Sequence, residues 1–143
     1  MCERLCRLLI LDTEPDRLIA LQHECEEANL DATITWDAAE ACQLLGTGPF
    51  DLLLIGDHPP ELDAAAILND LSFRGMCPPV LILLDGTGEK GAEYFHTIGA
   101  AGVVPKRDQQ AILEQVTRTL KPVQWKRTAK NSLTRDRSWQ IAS

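Results

Sequence analysis

The sequence predicts an α/β protein in which a parallel β-sheet is wound on both faces by helices. Three observations carry this. Leu52-Leu53-Leu54-Ile55 and Val80-Leu81-Ile82-Leu83-Leu84 are apolar throughout, as strands buried on both faces of a sheet are. Both stop abruptly in turn-forming residues, Gly56-Asp57-His58-Pro59-Pro60 and Asp85-Gly86-Thr87-Gly88. Five strand-like segments alternate with five helical patterns at spacings of roughly 20 to 30 residues, the length that crossovers between parallel strands require.

In chain order, Leu8-Leu9-Ile10-Leu11 is a first buried strand ended by Asp12-Thr13-Glu14-Pro15, with Thr13 or Glu14 at a helix cap and Pro15 in the first turn. Leu18, Leu21, Cys25 and Ala28 recur at helical spacing, and Asn29 is the expected stop. Ala32-Thr33-Ile34-Thr35 is short and β-branched, a second strand nearer an edge. Asp37 caps a second helix with Ala38, Ala41, Cys42 and Leu45 inward and Gly46 as its left-handed terminator. The third strand follows the turn at Gly48-Pro49. A third helix after Pro60 carries Leu62, Ala65, Ala66, Ile67, Leu68 and Leu71 and ends before Gly75. Beyond the fourth strand, a weaker helix over about 89–98 has Tyr94, Phe95 and Ile98 as its apolar positions. Gly99 and Gly102 bracket the turn into Val103-Val104, and Asp108 caps a last helix striped by Ile112, Leu113, Val116 and Leu120.

Composition narrows the function classes. Hydrophobic residues at 45% and charged residues at 24% are ordinary globular values, which excludes a disordered or fibrous chain. The net charge of −7 is unevenly divided, with −12 through Leu120 and +5 from Lys121 onward. One acidic domain over 1–120 and a basic, flexible extension over 121–143 are therefore expected. An acidic body lacks the clustered Lys and Arg that phosphate contacts need, so nucleic acid is not expected on the globular part. The five cysteines form no CxxC pair and are odd in number, which reads as reduced thiols in the cytoplasm. No apolar run approaches the ~20 residues of a membrane span. His23 and His96 lie on helices without acidic or thiol partners at ligand spacing, and His58, next to Asp57, reads as a lone surface histidine before two prolines, so no metal or other cofactor is expected from them.

Leu-Ile-Leu-Asp-Thr-Glu-Pro, Pro-Phe-Asp-Leu-Leu-Leu-Ile, Pro-Pro-Val-Leu-Ile-Leu and Gly-Ala-Ala-Gly-Val-Val-Pro-Lys occur in this order. With their spacing, they resemble the receiver domain of two-component response regulators over about 7–120. The resemblance implies a flavodoxin-like (βα)5 fold with strand order 2-1-3-4-5. It also implies a pocket beyond the carboxyl ends of the strands, where such sheets bind ligands. Family members phosphorylate an aspartate ending the third strand, with Mg²⁺ held by an acidic pair after the first strand. A hydroxyl after the fourth strand and a lysine after the fifth hold the phosphoryl oxygens.

In this sequence the pocket positions are Asp12, Thr13, Glu14, Gly56, Asp57, Leu84 and Lys106. Asp12 matches the first acid, but Thr13 stands where a second carboxylate belongs. Gly56 falls at the acceptor, Leu84 at the hydroxyl, and Lys106 alone among the later parts is in register. Glycine has no nucleophile and leucine no hydroxyl, so the resemblance is to a degenerate receiver without a catalytic residue, not an enzyme. Asp12 and Lys106 are expected to form a direct or water-bridged ion pair across the pocket.

The alternative is an atypical receiver phosphorylated on Asp57, one position late, with Asp12, Glu14 and Asp57 around Mg²⁺. Gly56 would then redirect Asp57 into the pocket through backbone angles closed to other residues. A further alternative is a small-molecule or flavin binder on the same fold. The resemblance implies signalling partners, namely a histidine kinase, an output domain or another receiver. It also implies an interaction face on the fourth helix, fifth strand and fifth helix around Glu89, Glu93, Val103, Arg107, Gln110, Glu114 and Arg118, with Val103 where many receivers carry a switching aromatic. A homodimer through that face is one expected use of it.

Overall fold

The computed structural model describes residues 6–75, 78–85 and 89–120, with side chains from Gly91 in the last stretch. The expected basic extension over 121–143 lies outside the described residues, as do Gly86, Thr87 and Gly88 of the turn after the fourth strand. Five parallel strands, β1 (Arg7–Leu11), β2 (Asp31–Thr35), β3 (Leu52–Gly56), β4 (Val80–Leu84) and β5 (Gly102–Pro105), form one sheet in the order β2-β1-β3-β4-β5. The connecting helices are α1 (Pro15–Glu27), α2 (Ala38–Thr47), α3 (Ala64–Arg74) and α4 (Glu89–Thr97), and residues 109–120 form α5. The flavodoxin-like doubly wound architecture and its strand order are as the sequence implied. Among the described residues, no helix is long and apolar enough to cross a membrane.

Strand alternation divides the core in two. Leu8 and Ile10 of β1, Leu52 and Leu54 of β3 and Val104 of β5 pack with Leu18, Leu21 and Cys25 of α1 and Ile112, Val116 and Leu120 of α5. Leu9, Leu11, Leu53, Ile55, Val80 and Ile82 point the other way, onto Ala41 of α2, Leu68 and Leu71 of α3 and Phe95 of α4. Successive side chains alternate faces, so an unbroken apolar run serves both layers. Burial within the first layer, with Glu24 and Glu26 beside it, pushes the Cys25 thiol from 9.0 up to about 11. A thiol held neutral by the fold stabilises it fully below pH 9 and loses that contribution as pH rises through about 11. The thermal midpoint should therefore fall more steeply over that interval in the wild type than in Cys25→Ala, as followed by circular dichroism.

Several boundaries differ from expectation for local reasons. Asn29 ends α1 with a left-handed φ of 65°, as expected. Gly46 does not terminate α2. The helix runs through it to Thr47 and stops at an extended Gly48, which the Pro after it favours. Leu62 precedes α3 instead of opening it, because His58 and Leu62 exchange backbone hydrogen bonds of 2.8 and 2.9 Å. Asp63 then caps the helix by accepting from the Ala66 N–H at 3.2 Å. Gly75 closes α3 at φ 71°, a conformation that costs glycine little. On α4, Phe95 is buried while Tyr94 is 52% exposed, so Tyr94 does not belong to the buried stripe.

Candidate functional site

Register brings the pocket positions to one edge of the sheet. Leu11 of β1 pairs with Ile55 of β3, Gly56 with Leu83 of β4, and Leu84 with Pro105 of β5. Asp12 therefore follows β1 at the level of Gly56. Its N–H donates to the Thr35 carbonyl at 3.2 Å, and the Lys106 N–H donates to the Leu84 carbonyl at 2.8 Å. These bonds carry the ladder one residue past the strands and fix both residues at the carboxyl edge.

The Asp12 carboxylate is fully buried, and Arg17 holds it. One Arg17 guanidinium nitrogen lies 3.1 Å from each carboxylate oxygen, and the Glu14 N–H donates to Oδ1 at 3.0 Å. A direct pairing of Asp12 with Lys106, one form of the expected contact, is thus corrected, and Arg17 is the direct partner. Arg17, in the first turn of α1, stands directly over the end of β1 and is a shorter route to charge compensation. Lys106 is 5% exposed, and among the described residues no hydrogen bond or ion pair reaches its ammonium.

Gly56 has a reason that its sequence position did not disclose. A Cβ built there would lie 2.2 Å from Asp12 Oδ2 and 2.6 Å from Cγ, far inside van der Waals contact. The Asp12 carboxylate occupies the volume that a side chain at position 56 would fill. The glycine is used for this close approach and not for special backbone angles. It is the last residue of β3, and the described glycines with positive φ are Gly75 and Gly99.

Asp57 follows the alternation that Gly56 leaves intact, toward the layer of α3. Its N–H donates to the Leu83 carbonyl at 2.9 Å, and its Oδ1 accepts from the Ala64 N–H at 3.0 Å. The carboxylate therefore satisfies one of the orphan donors of α3, where the helix dipole also favours it. Asp57→Ala should cost ~1 kcal/mol of stability and Asp57→Asn much less, since either side chain can accept this bond; chemical denaturation would read the difference.

The other positions divide between core and solvent. Leu84 is half-buried against the layer of α2, α3 and α4. Glu14 is exposed and makes no side-chain cap, and Thr13 is half-buried. Mg²⁺, which this fold family implies, does not fit the donors as arranged. Asp12 is engaged through both oxygens by Arg17, Asp57 faces α3, and Glu14 faces solvent. Among the described residues no group of three or more His, Cys, Asp and Glu is arranged to hold a metal.

On the expected interaction face, Glu93, Arg107, Gln110, Glu114 and Arg118 are exposed and Val103 is half-buried. The Glu89 side chain lies outside the described residues. Gln110, Glu114 and Arg118 line a shallow groove along α5 with Leu113 and Thr117. Arg107 lies 3.9 Å from Asp85 with both side chains exposed, a pair that adds little stability.

Two site residues were not anticipated. Arg17 carried a signal, because a base in the first turn of a helix opposes the dipole and asks for a local acid. Trp36, 69% exposed just past β2, lines an open cavity of about 320 Å³ with Thr13 and Pro15 at the rim of the pocket.

No protein-family model matches the sequence, and no curated protein matches it. Solved structures do. The receiver domain of a Francisella response regulator is 22% identical with a TM-score of 0.76, over 82% of this chain and 98% of that one. A CheY-like response regulator receiver domain protein from Methanospirillum hungatei is 17% identical with a TM-score of 0.75, over 86% of this chain and 99% of that one. The signal receiver domain of a LuxO repressor protein from Vibrio parahaemolyticus is 14% identical with a TM-score of 0.77, over 86% and 95%. At these identities the likeness is one of fold, and the fold is that of receiver domains.

Proposed function

We infer that this chain is a receiver-type signalling module that acts through contacts with other proteins and does not run an aspartyl-phosphate cycle. The observation that supports this is the Asp12 carboxylate lying over Gly56 with Arg17 as its counter-charge. In phosphoryl transfer a nucleophilic oxygen, a divalent ion and fixed donors must converge on one phosphorus. Here the nucleophile's place is filled by the acid that would bind the ion, and an internal guanidinium supplies the positive charge. The module is then non-enzymatic and holds one conformation. Its partners are other signalling proteins, such as a histidine kinase, an output domain or another receiver. The exposed face around Glu93, Arg107, Gln110, Glu114 and Arg118 is the surface offered to them or to a second copy.

One observation favours a second reading. The buried Lys106 ammonium lacks a described partner, and a buried unpaired charge is costly. An anion arriving at the carboxyl edge would satisfy it, as phosphorylation of Asp57 with Mg²⁺ would provide. Incubation with a small phosphodonor and Mg²⁺, followed by intact-mass measurement, separates the two. No added phosphoryl group is expected in the wild type. A gain of one that disappears in Asp57→Asn would establish the second reading.

A further inference from the structure

Asp12 meets Arg17 through a single nitrogen. Nη1 lies 3.1 Å from Oδ1 and 3.1 Å from Oδ2, so it sits on the bisector of the carboxylate, where a chelated cation would sit. The fork of two nitrogens on two oxygens is not formed, and among the described residues Nε and Nη2 make no hydrogen bond. The carboxylate is 0% exposed, while the Arg17 side chain above it is 22% exposed. Among the described residues its one other donor is the Glu14 N–H, 3.0 Å from Oδ1. The absent side chain of Gly56 gives the carboxylate room at the end of β3.

We propose that this edge of the sheet is a receptor for a guanidinium ion, filled in cis by Arg17 and unsuited to a metal ion. The inference rests on the reading of a closed locus and names the cation that closes it. Hydration selects the occupant. A cation that reaches a carboxylate with no exposed surface must shed water there, so the cost follows how tightly each ion is hydrated. Mg²⁺ dehydrates reluctantly and asks for about six oxygens at ~2.1 Å. Asp12 has only its own two to give, Asp57 is turned to α3, and Glu14 is exposed. An ammonium is compact and strongly hydrated, whereas a guanidinium is delocalised and weakly hydrated. Its N–H groups also suit oxygens at 3.1 Å, which is hydrogen-bonding distance and well beyond a metal–oxygen bond. Because Arg17 follows Asp12 by 5 residues, the tether holds its head at a high effective concentration, and a free cation must compete with it.

The test removes the tethered head and keeps the receptor, using the full chain. In Arg17→Ala, methylguanidinium at about 20 mM is expected to raise the thermal midpoint by about 5 °C, as a ligand of the folded state does. Methylammonium at the same ionic strength should give less than half of that shift, and Mg²⁺ none. The wild type, whose receptor is filled, and Asp12→Asn/Arg17→Ala, which lacks the anion, should not respond to methylguanidinium. If Arg17→Ala does not fold unaided, far-UV circular dichroism of the refolding chain reads the same competition, with folding expected in methylguanidinium and not in Mg²⁺. A Mg²⁺ effect as large as that of methylguanidinium, no effect of either, or an equal response in the double variant would overturn the proposal. Failure of the closed locus is distinct from these outcomes, since it is read in the wild type as a gain of mass with phosphodonor and Mg²⁺.

Discussion

Arg17→Ala is expected to lower the unfolding free energy by about 3 kcal/mol and the thermal midpoint by roughly 10 °C. An exposed ion pair would be worth ~0–1 kcal/mol, and the Arg17 side chain, 22% exposed, alone would suggest a value near that range. The Asp12 carboxylate decides otherwise, because it is fully buried. Without the guanidinium it retains its bond from the Glu14 N–H and is otherwise an uncompensated buried charge. Arg17→Lys keeps the charge on a longer, unforked stem and should recover about half of the loss. Denaturant unfolding of the three proteins checks the order. A loss below ~1 kcal/mol in Arg17→Ala would mean that Asp12 is solvated or otherwise paired.

Gly56→Ala is expected to be nearly as costly, at ~2–4 kcal/mol. In an ordinary strand the same substitution stabilises by up to ~1 kcal/mol. The sign reverses here because the new methyl would sit 2.2 Å from Asp12 Oδ2. Asp12 must then leave its place and with it Arg17. In an Asp12→Ala background the obstacle is gone, and Gly56→Ala should be neutral or mildly stabilising. The double-mutant cycle therefore predicts a coupling of at least ~2 kcal/mol between positions 12 and 56. Gly56→Asp should be costlier still for the same reason, with a second carboxylate's repulsion added.

The layered sheet was legible because its signals are redundant. Leu52-Leu53-Leu54-Ile55 and Val80-Leu81-Ile82-Leu83-Leu84 can satisfy both faces of a sheet only as central strands. Asp37 and Asp108 announce helix starts that the structure contains, each accepting from a backbone N–H of the turn that follows at 3.0 Å. What misled was local competition. Gly46 is a good terminator, yet α2 runs one residue past it, where the Thr47 hydroxyl donates to the Leu44 carbonyl at 3.1 Å. Leu62 has helical spacing with Ala65 and Ala66, yet a tight backbone exchange with His58 holds it outside α3.

The site was legible only as a set of positions. Strand ends gave Asp12, Gly56, Asp57, Leu84 and Lys106, because sheet register follows from the apolar runs. Which acid meets which base did not follow. That depends on side-chain direction at a helix start, and Arg17 intercepts Asp12 before Lys106 can. Strand alternation already favoured the α3 side for Asp57. The supposition that Gly56 would redirect it rested on backbone freedom, whereas the glycine serves a close approach.

The proposed function requires the Asp12–Arg17 pair to keep a phosphoryl group and Mg²⁺ from the carboxyl edge of the sheet. Beryllofluoride with Mg²⁺ mimics a phosphoryl group on a competent aspartate, and amide NMR of the wild-type chain reads its binding directly. The signals of Asp12, Arg17, Gly56, Asp57, Val103 and Lys106 are expected to stay in place as both are added. Saturable movement of these signals would contradict the claim and show that the locus opens to a metal and a phosphoryl group.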